Sequence, residues 1–172
     1  MAKKIVNYIV GLFGSLVTIP FMKELIVFLI SMCPVLELRG GLIAAALFNM
    51  NPAMSYIICV IGNIVPIPFI LWLTAKVIEK MRNSRSKKLN KFAGLLDKKV
   101  EKNKGKIEKY GYWGLMLFIA IPLPGTGAWT GCMVASVLEM NKKKSFLAAV
   151  AGVVIASIIM MIISFGLVSK LV

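Results

Sequence analysis

The sequence predicts an all-α integral membrane protein: an inverted repeat of two re-entrant helical hairpins, each followed by a transmembrane helix. An N-terminal transmembrane helix and a basic cytoplasmic amphipathic helix complete the predicted architecture. Three observations lead to this prediction. Hydrophobic residues make up 59% of the 172 residues and form long runs, whereas a soluble domain of this length is far more polar. The positive charge is concentrated in one stretch, and two apolar segments broken by proline and glycine lie 90 residues apart.

The 90-residue offset relates six identical residues. Pro34, Gly41, Met50, Asn51, Ser55 and Gly62 recur as Pro124, Gly131, Met140, Asn141, Ser145 and Gly152. Broken apolar segments in matching positions of two halves are typical of transporters whose substrate site lies near the bilayer midplane.

The first half is predicted to contain a transmembrane helix at 5–22, a re-entrant hairpin at 25–50 and a transmembrane helix at 54–75. Lysines before the first run place the N-terminus in the cytoplasm, and the run is interpreted as a retained helix rather than a cleaved signal. The basic block after residue 75 is also cytoplasmic, so 25–50 must enter and leave on one face. Each arm needs about 10 residues to reach the midplane, and Pro34 breaks the helix between the arms.

The alternative is that 25–50 crosses the membrane once. That topology requires either that the first apolar run does not span or that the positive-inside rule fails once.

The segment 76–109 carries 13 of the 21 Lys and Arg residues. Within it, six apolar residues recur at steps of three, four or seven: Leu89, Phe92, Ala93, Leu96, Val100 and Ile107. This spacing predicts an amphipathic helix lying on the inner membrane surface, where its basic face would contact anionic lipid. Because the stretch is tethered between membrane segments, no nucleic-acid partner is predicted.

The second half is predicted to contain a re-entrant hairpin at 112–140, turning at Pro122 and Pro124, and a transmembrane helix at 146–168. The loop that follows this hairpin is basic (142–144), whereas the matching loop of the first half (51–54) has no positive charge. The same motif with opposite charge bias predicts inverted insertion, with the C-terminus outside the plasma (inner) membrane.

Glu37 and Arg39 are the only charged residues between Glu24 and Lys76. Ionisable residues at membrane depth are functional candidates because inserting them costs free energy. Arg39 suits a phosphate or carboxylate through its planar fork, and Glu37 could couple H⁺ or Na⁺ or release the anion. The alternative is a structural ion pair that holds the turn.

The second turn has no charged residue, so its chemistry is that of the backbone. Gly125 and Gly127 allow close approach, and Thr126 is predicted to cap a helix whose exposed N–H groups would bind an anion. Trp129, opposite Arg39 in the offset, either stacks on the guanidinium, lines the substrate path or simply packs. The predicted substrate-binding residues are Glu37, Arg39, Gly40, Gly125, Thr126, Gly127, Trp129 and Thr130.

Asn63, Pro66 and Pro68 are predicted to interrupt the span after the first hairpin, and a kink there either opens a cavity or has no role. The chain has no histidine, and its three cysteines lie in apolar runs without a CxxC pair. No metal site, cofactor or catalytic residue is therefore predicted, and an enzyme is not expected.

The motifs Pro34-Val35-Leu36-Glu37-Leu38-Arg39-Gly40 and Pro122-Leu123-Pro124-Gly125-Thr126-Gly127-Ala128-Trp129-Thr130-Gly131 resemble the putative small multidrug export protein family. That family is in turn similar to the DedA, or VTT-domain (SNARE-associated), superfamily. The resemblance implies a transporter with two oppositely inserted re-entrant hairpins. On the DedA side it implies transfer of lipid head groups such as polyprenyl phosphate, with acidic and arginine residues at the hairpins, a role that Glu37 and Arg39 match.

The predicted function is a small inner-membrane transporter of an anionic, phosphate-bearing lipid or amphiphile. One alternative is an exporter of cationic or hydrophobic drugs with Glu37 as the counter-charge. Another is a non-transporting scaffold that recruits partners through its basic helix. Membrane lipids are the predicted surroundings, and a homodimer is plausible at this length.

Overall fold

The fold is known from a computed structural model that describes residues 21–82, 87–123 and 125–171. The predicted N-terminal helix at 5–22 lies almost entirely outside the described residues, as does Pro124. All regular secondary structure within the described ranges is helical, which confirms the all-α prediction. The helices are α1 (Met22–Met32), α2 (Glu37–Leu47), α3 (Pro52–Ile64), α4 (Ile67–Arg82), α5 (Lys87–Ala120), α6 (Ala128–Val137) and α7 (Lys142–Leu171).

The chain divides into two compact units. Among the described residues, the first unit contains α1, α2, α3 as far as Asn63, and the end of α7 from Ser157 onward. The second unit runs from Ile64 to Ala156.

The first unit contains a helical hairpin. Helices α1 and α2 have 11 residues each and pack against each other. Lys23 Nζ, at the start of α1, donates to the carbonyl oxygen of Phe48, just after α2, at 3.3 Å. The outer ends of the two helices therefore lie side by side, and the turn between them lies at the opposite end.

Glycines bring the helices of this unit into close contact. A Cβ on Gly41 would clash with Ser31 Oγ of α1 and lie 3.0 Å from Cys59 Sγ of α3. A Cβ on Gly62 of α3 would lie 2.9 Å from the carbonyl oxygen of Phe28. These two positions have no room for a side chain, so glycine allows α1, α2 and α3 to pack together.

A second helical hairpin forms part of the second unit. Helix α5 is broken at Gly111, whose φ of 58° and ψ of −132° are not helical, so its last nine residues form a separate arm. That arm packs against α6, and the Tyr112 hydroxyl at its start accepts from the N–H of Asn141, just after α6, at 3.3 Å. Helix α4 packs against α6, and Ser136 Oγ of α6 donates to the carbonyl oxygen of Leu71 of α4 at 3.2 Å.

Each hairpin is followed by a turn, and the two turns have the same geometry and lie 90 residues apart. Asn49 and Glu139 both adopt a left-handed backbone, with φ of 51° and 53°. The N–H of Met50 donates to the carbonyl of Ala45, and that of Met140 to Ala135, both at 3.0 Å. The following helix begins at Pro52 in one unit and Lys142 in the other. The offset seen in the sequence therefore reflects repeated backbone geometry.

The glycine contacts repeat as well. A Cβ on Gly131 would lie 2.8 Å from the Ile119 side chain, and one on Gly152 would lie 2.7 Å from the carbonyl oxygen of Met116. Gly131 and Gly152 correspond to Gly41 and Gly62 at an offset of 90. The residues that they contact on the first arm, such as Phe28 and Met116, correspond at an offset of 88 because the second turn is longer.

Within the described ranges, two helical stretches are long and apolar enough to cross a bilayer, namely Pro52–Thr74 and Lys142–Gly166. The first contains a break at Val65 and Pro66 between α3 and α4. Helix α4 continues through the start of the basic segment to Arg82, and the basic helix then begins at Lys87. Val100 and Ile107 of that helix are buried.

Candidate functional site

The turn of the first hairpin holds Glu37 in an unusual conformation. The turn consists of residues 33–36, with Pro34 inside it, and the N–H of Glu37 donates to the carbonyl of Cys33 at 2.9 Å. This closes the turn and leaves Glu37 with φ of 52°. A left-handed backbone is uncommon outside glycine, asparagine and aspartate. Such strain persists where the surrounding structure imposes it, and it is concentrated at functional sites.

Glu37 is also buried. Its exposed fraction is 6%, whereas Val35 beside it is 84% exposed. A buried carboxylate is costly unless charged or hydrogen-bonding groups compensate it, and the guanidinium of Arg39 interacts favourably with Glu37. Arg39 is only half-buried. The turn therefore combines an enclosed anion with a more accessible cation.

Gly40 allows close packing against Leu36 at the start of α2. Its N–H donates to the carbonyl of Leu36 at 2.9 Å, and an added Cβ would lie 2.7 Å from the Leu36 Cβ. Glu37, Arg39 and Gly40 thus lie together at the start of α2, directly after the turn at 33–36.

The second hairpin turns through residues 121–127, three residues more than the first. Gly125 and Gly127 have φ of 85° and 132°, which residues with a side chain rarely adopt. Gly125 is exposed, whereas Gly127 is buried. The longer turn therefore depends on backbone conformations that glycine supplies.

Thr126 does not cap α6, contrary to the sequence prediction. The helix starts at Ala128 as expected, but Gly127 occupies the cap position and no side chain caps it. The Thr126 hydroxyl lies 2.8 Å from both the Ile121 and the Leu123 carbonyl oxygens. Because the local carbonyls attract its single proton, the hydroxyl closes the turn instead of accepting from the helix N-terminus.

The start of α6 carries the remaining predicted residues. Ala128 and Thr130 are buried, and Trp129 is half-buried. The first N–H groups of any helix lack partners within that helix, so this end keeps the property from which anion binding was predicted. Gly131 N–H donates to the Gly127 carbonyl at 2.9 Å and begins the regular helical pattern.

The predicted residues fall into two groups. Glu37, Arg39 and Gly40 lie together in the first unit, and the residues from Gly125 to Thr130 lie together in the second. A single site shared by both turns stays a prediction. Pro34 lies in the first turn, Pro122 in the second and Pro66 between α3 and α4, whereas Pro68 lies in the first turn of α4.

Asn63 is a candidate that the sequence suggested only as a point of helix interruption. Its side chain is 1% exposed, and its Oδ1 atom has no hydrogen-bond partner among the described residues. A buried amide oxygen without a partner costs free energy. A lone amide in an otherwise apolar span was the available signal. Within the described ranges, no cluster of Cys, Asp and Glu is arranged to hold a metal ion.

Residues 37–159 match a family model described as "Putative small multi-drug export protein". The chain belongs to this family. The match starts at Glu37, directly after the first hairpin turn, includes the second hairpin turn and ends within α7, so it covers well over half of the chain. The chain matches no curated protein and no solved structure.

Membership in the small multi-drug export family, together with the two apolar helices, identifies a helical membrane protein. The family resemblance drawn from the two turn motifs is thereby confirmed. The further likeness to the DedA superfamily stays a prediction.

Proposed function

We propose that this chain is a plasma-membrane exporter of amphiphilic compounds whose substrate binds at the turn of the first hairpin. The carrying observation is Glu37, which is buried, left-handed and paired electrostatically with Arg39. Two charged groups and a strained backbone at the tip of an apolar hairpin cost stability. A binding or coupling role accounts for their presence there.

The lengths of the hairpin arms support re-entrant insertion. Each arm of the first hairpin has 11 residues, which corresponds to about 16 Å of helix. A bilayer core is about 30 Å thick, so a hairpin of this length reaches roughly the midplane and returns. The turn at 33–36 interrupts the continuous helix that a simple crossing by 25–50 would use, and this supports the re-entrant alternative.

Charge supports opposite insertion of the two hairpins. The turn after the first is followed by Pro52 and Ala53, whereas the turn after the second is followed by three lysines, 142–144. Lysine is enriched in cytoplasmic loops. We therefore place the N-terminus and the basic helix in the cytoplasm and the C-terminus outside, with the turn of each hairpin near the midplane.

The burial of the two charges favours an anionic substrate. Glu37 is enclosed and Arg39 is more accessible, so an arriving molecule meets the cation first. A phosphate or carboxylate would bind the guanidinium fork in place of Glu37, and the displaced Glu37 would take up H⁺ or Na⁺. A phosphate-bearing lipid such as a polyprenyl phosphate is one amphiphile of this class.

A cationic drug is the second candidate, and the family description favours it. In that case the Glu37 carboxylate would bind the cationic drug, and Arg39 would pair with Glu37 again after the drug is released. The two candidates therefore assign opposite roles to the same pair of residues.

Reconstituted vesicles distinguish these candidates. One assay follows movement of a fluorescent phosphatidic acid between leaflets by quenching with dithionite, and the other follows ethidium efflux. We expect Arg39→Ala to abolish lipid movement, with Arg39→Lys partly active and Lys143→Ala, which removes a charge outside the hairpins, fully active. Ethidium efflux that survives Arg39→Ala and is lost in Glu37→Gln would establish the drug exporter instead. Wild-type protein inactive in both assays, with cellular function lost only when 87–106 is deleted, would indicate a scaffold.

A further inference from the structure

The second unit contains a charged cleft at the turn after its hairpin, and no residue of the 121–127 turn lines it. Its volume is about 330 Å³, and the charged and aromatic residues that line it are Trp72, Lys76, Glu79, Glu139 and Lys142. Trp72, Lys76 and Glu79 follow one another at steps of four and three, so they share one face of α4. Leu71 and Ser136 also line the cleft, and they are both buried and joined by a hydrogen bond of 3.2 Å.

The cleft balances two cations against two anions. Lys142 Nζ lies 5.5 Å from the centre of the Trp72 ring, a distance at which a cation is attracted to the ring face. Lys76 and Lys142 supply positive charge, while Glu79 and Glu139 supply negative charge. All four side chains are exposed, so their charged groups are accessible to a molecule that enters the cleft.

Glu139 keeps a carboxylate where the backbone disfavours it. Its φ is 53°, and the equivalent position in the first unit, with φ of 51°, is Asn49. Asparagine tolerates the left-handed region better than glutamate. The second unit therefore has a negatively charged glutamate at a left-handed position, whereas the first unit has asparagine, which adopts that conformation more readily, at the equivalent position. A role for the carboxylate in the cleft explains that choice.

The cleft lies where a membrane interface is expected. Trp72 falls near the end of the apolar stretch Pro52–Thr74, and Lys142 begins the apolar stretch Lys142–Gly166. Tryptophan and lysine are enriched at this depth, where an aromatic ring contacts lipid and an ammonium reaches water.

We propose that this cleft binds the head group of a zwitterionic phospholipid that carries a primary ammonium, namely phosphoethanolamine. The phosphate would bind Lys76 and Lys142, and the ammonium would donate hydrogen bonds to Glu79 and Glu139. Cavities of about 300 Å³ and above are typical of small-molecule sites. The assignment does not depend on the transported substrate, since the cleft involves neither Glu37 nor Arg39.

The charge pattern discriminates between lipid classes. A choline head group presents methyl groups, which cannot donate hydrogen bonds to the two carboxylates. A glycerol head group would satisfy the lysines through its phosphate, but its hydroxyls are neutral and bring no positive charge to the two carboxylates. Phosphoethanolamine complements all four groups.

Native mass spectrometry of the purified full-length protein tests this assignment. The protein is mixed with equal amounts of phosphatidylethanolamine, phosphatidylcholine and phosphatidylglycerol of identical chains, and the retained lipid is counted. We expect phosphatidylethanolamine to be retained at least about threefold over each of the others, as a charge-assisted contact of this kind implies.

The informative variant is Glu139→Asn, because it removes the carboxylate and installs the residue that the first unit has at this position. It should fold at least as well as the wild type and lose the preference for phosphatidylethanolamine. Lys142→Gln should lower the retention of all three lipids, because they share the phosphate, while Lys143→Gln and Glu108→Gln, which change charges outside the cleft, should retain both the binding and the preference. Equal retention of the three lipids, a preference for phosphatidylglycerol, an unchanged preference in Glu139→Asn or unchanged lipid retention in Lys142→Gln would overturn the proposal.

Discussion

Gly62 and Gly152, 90 residues apart, each lie where an added methyl group would press against a backbone carbonyl oxygen of the neighbouring hairpin arm. The distances would be 2.9 Å to Phe28 and 2.7 Å to Met116. A carbonyl within a helix cannot rotate away as a side chain can. The two halves therefore use the same means of packing a long helix against the first arm of a hairpin.

Gly62→Ala and Gly152→Ala should each destabilise the protein by about 1–3 kcal/mol, as overpacking does in a dense interior. Thermal unfolding in detergent measures the effect. Gly94→Ala and Gly105→Ala are matched controls, because nothing lies within 4 Å of an added Cβ at either position. Both controls should raise stability by up to about 1 kcal/mol through helix propensity. Equal effects at all four positions would mean that the close approach is not real.

Asn51 and Asn141 cap the helices that follow the two hairpins. Asn51 Oδ1 accepts from the N–H of Ala53 at 2.9 Å, and Asn141 Oδ1 accepts from that of Lys144 at 3.2 Å. Replacing either residue with alanine should cost about 1 kcal/mol of stability. Asn51→Asp keeps the acceptor and should be nearly neutral, so a loss as large as that of Asn51→Ala would contradict the capping role.

Glu139→Gly should raise stability by about 1 kcal/mol, because glycine adopts the left-handed backbone without strain. Glu108 is the control, since it is exposed and lies in the regular part of α5. Glu108→Gly should lower stability by about 1 kcal/mol through lost helix propensity. Opposite signs for the same substitution are the expected result in chemical denaturation, and equal signs would refute the strain at Glu139.

Thr126→Val should weaken the second turn, because it removes the hydroxyl that donates to the Ile121 or Leu123 carbonyl. We expect a loss of about 1 kcal/mol, measured as a shift of the unfolding midpoint. Thr126→Ser keeps the hydroxyl and should retain most of the stability. If serine is no better than valine, the methyl group and not the hydroxyl is what matters at this turn.

Single cysteines at Lys23, Asn51 and Lys143, in a chain without the three native cysteines, test the inverted insertion. The proposed topology predicts that the first two positions react with an impermeant thiol reagent from outside only, and the third from inside only. Labelling of Lys23Cys and Asn51Cys from opposite sides would mean that the first hairpin segment crosses the membrane, and inversion would then have no support.

The sequence predicted the repeated fold best at positions where the backbone geometry permits only one or a few residue types. Asn51, Gly41 and Gly62 recur at 90 residues because a helix cap and two close approaches recur there, so identity could reveal geometry. Sequence identity could not align the first arms of the two hairpins. Their contacts recur at an offset of 88 residues, and the contacting groups are the Phe28 and Met116 backbone carbonyls, which any residue supplies.

The candidate sites were less predictable than the fold. The rarity of charge within the apolar runs singled out Glu37 and Arg39, but no pattern indicated that Glu37 would be left-handed and buried. Thr126 was assigned to a helix cap by its position, whereas nearby carbonyls compete for its hydroxyl. The cleft brings Glu79 together with Glu139, which are 60 residues apart, and only the packing of α4 against α6 and its following turn creates that pair.

The same turn geometry recurs at Asn49 and Glu139. Each half of the molecule can therefore serve as an internal comparison for the other half in mutagenesis. A substitution at one position and the same substitution 90 residues away form a paired experiment within a single polypeptide, with detergent, expression and chain length held constant. Any difference between the two members of a pair then reports what distinguishes the halves, namely their charges and the lengths of their turns, rather than the local backbone that they share.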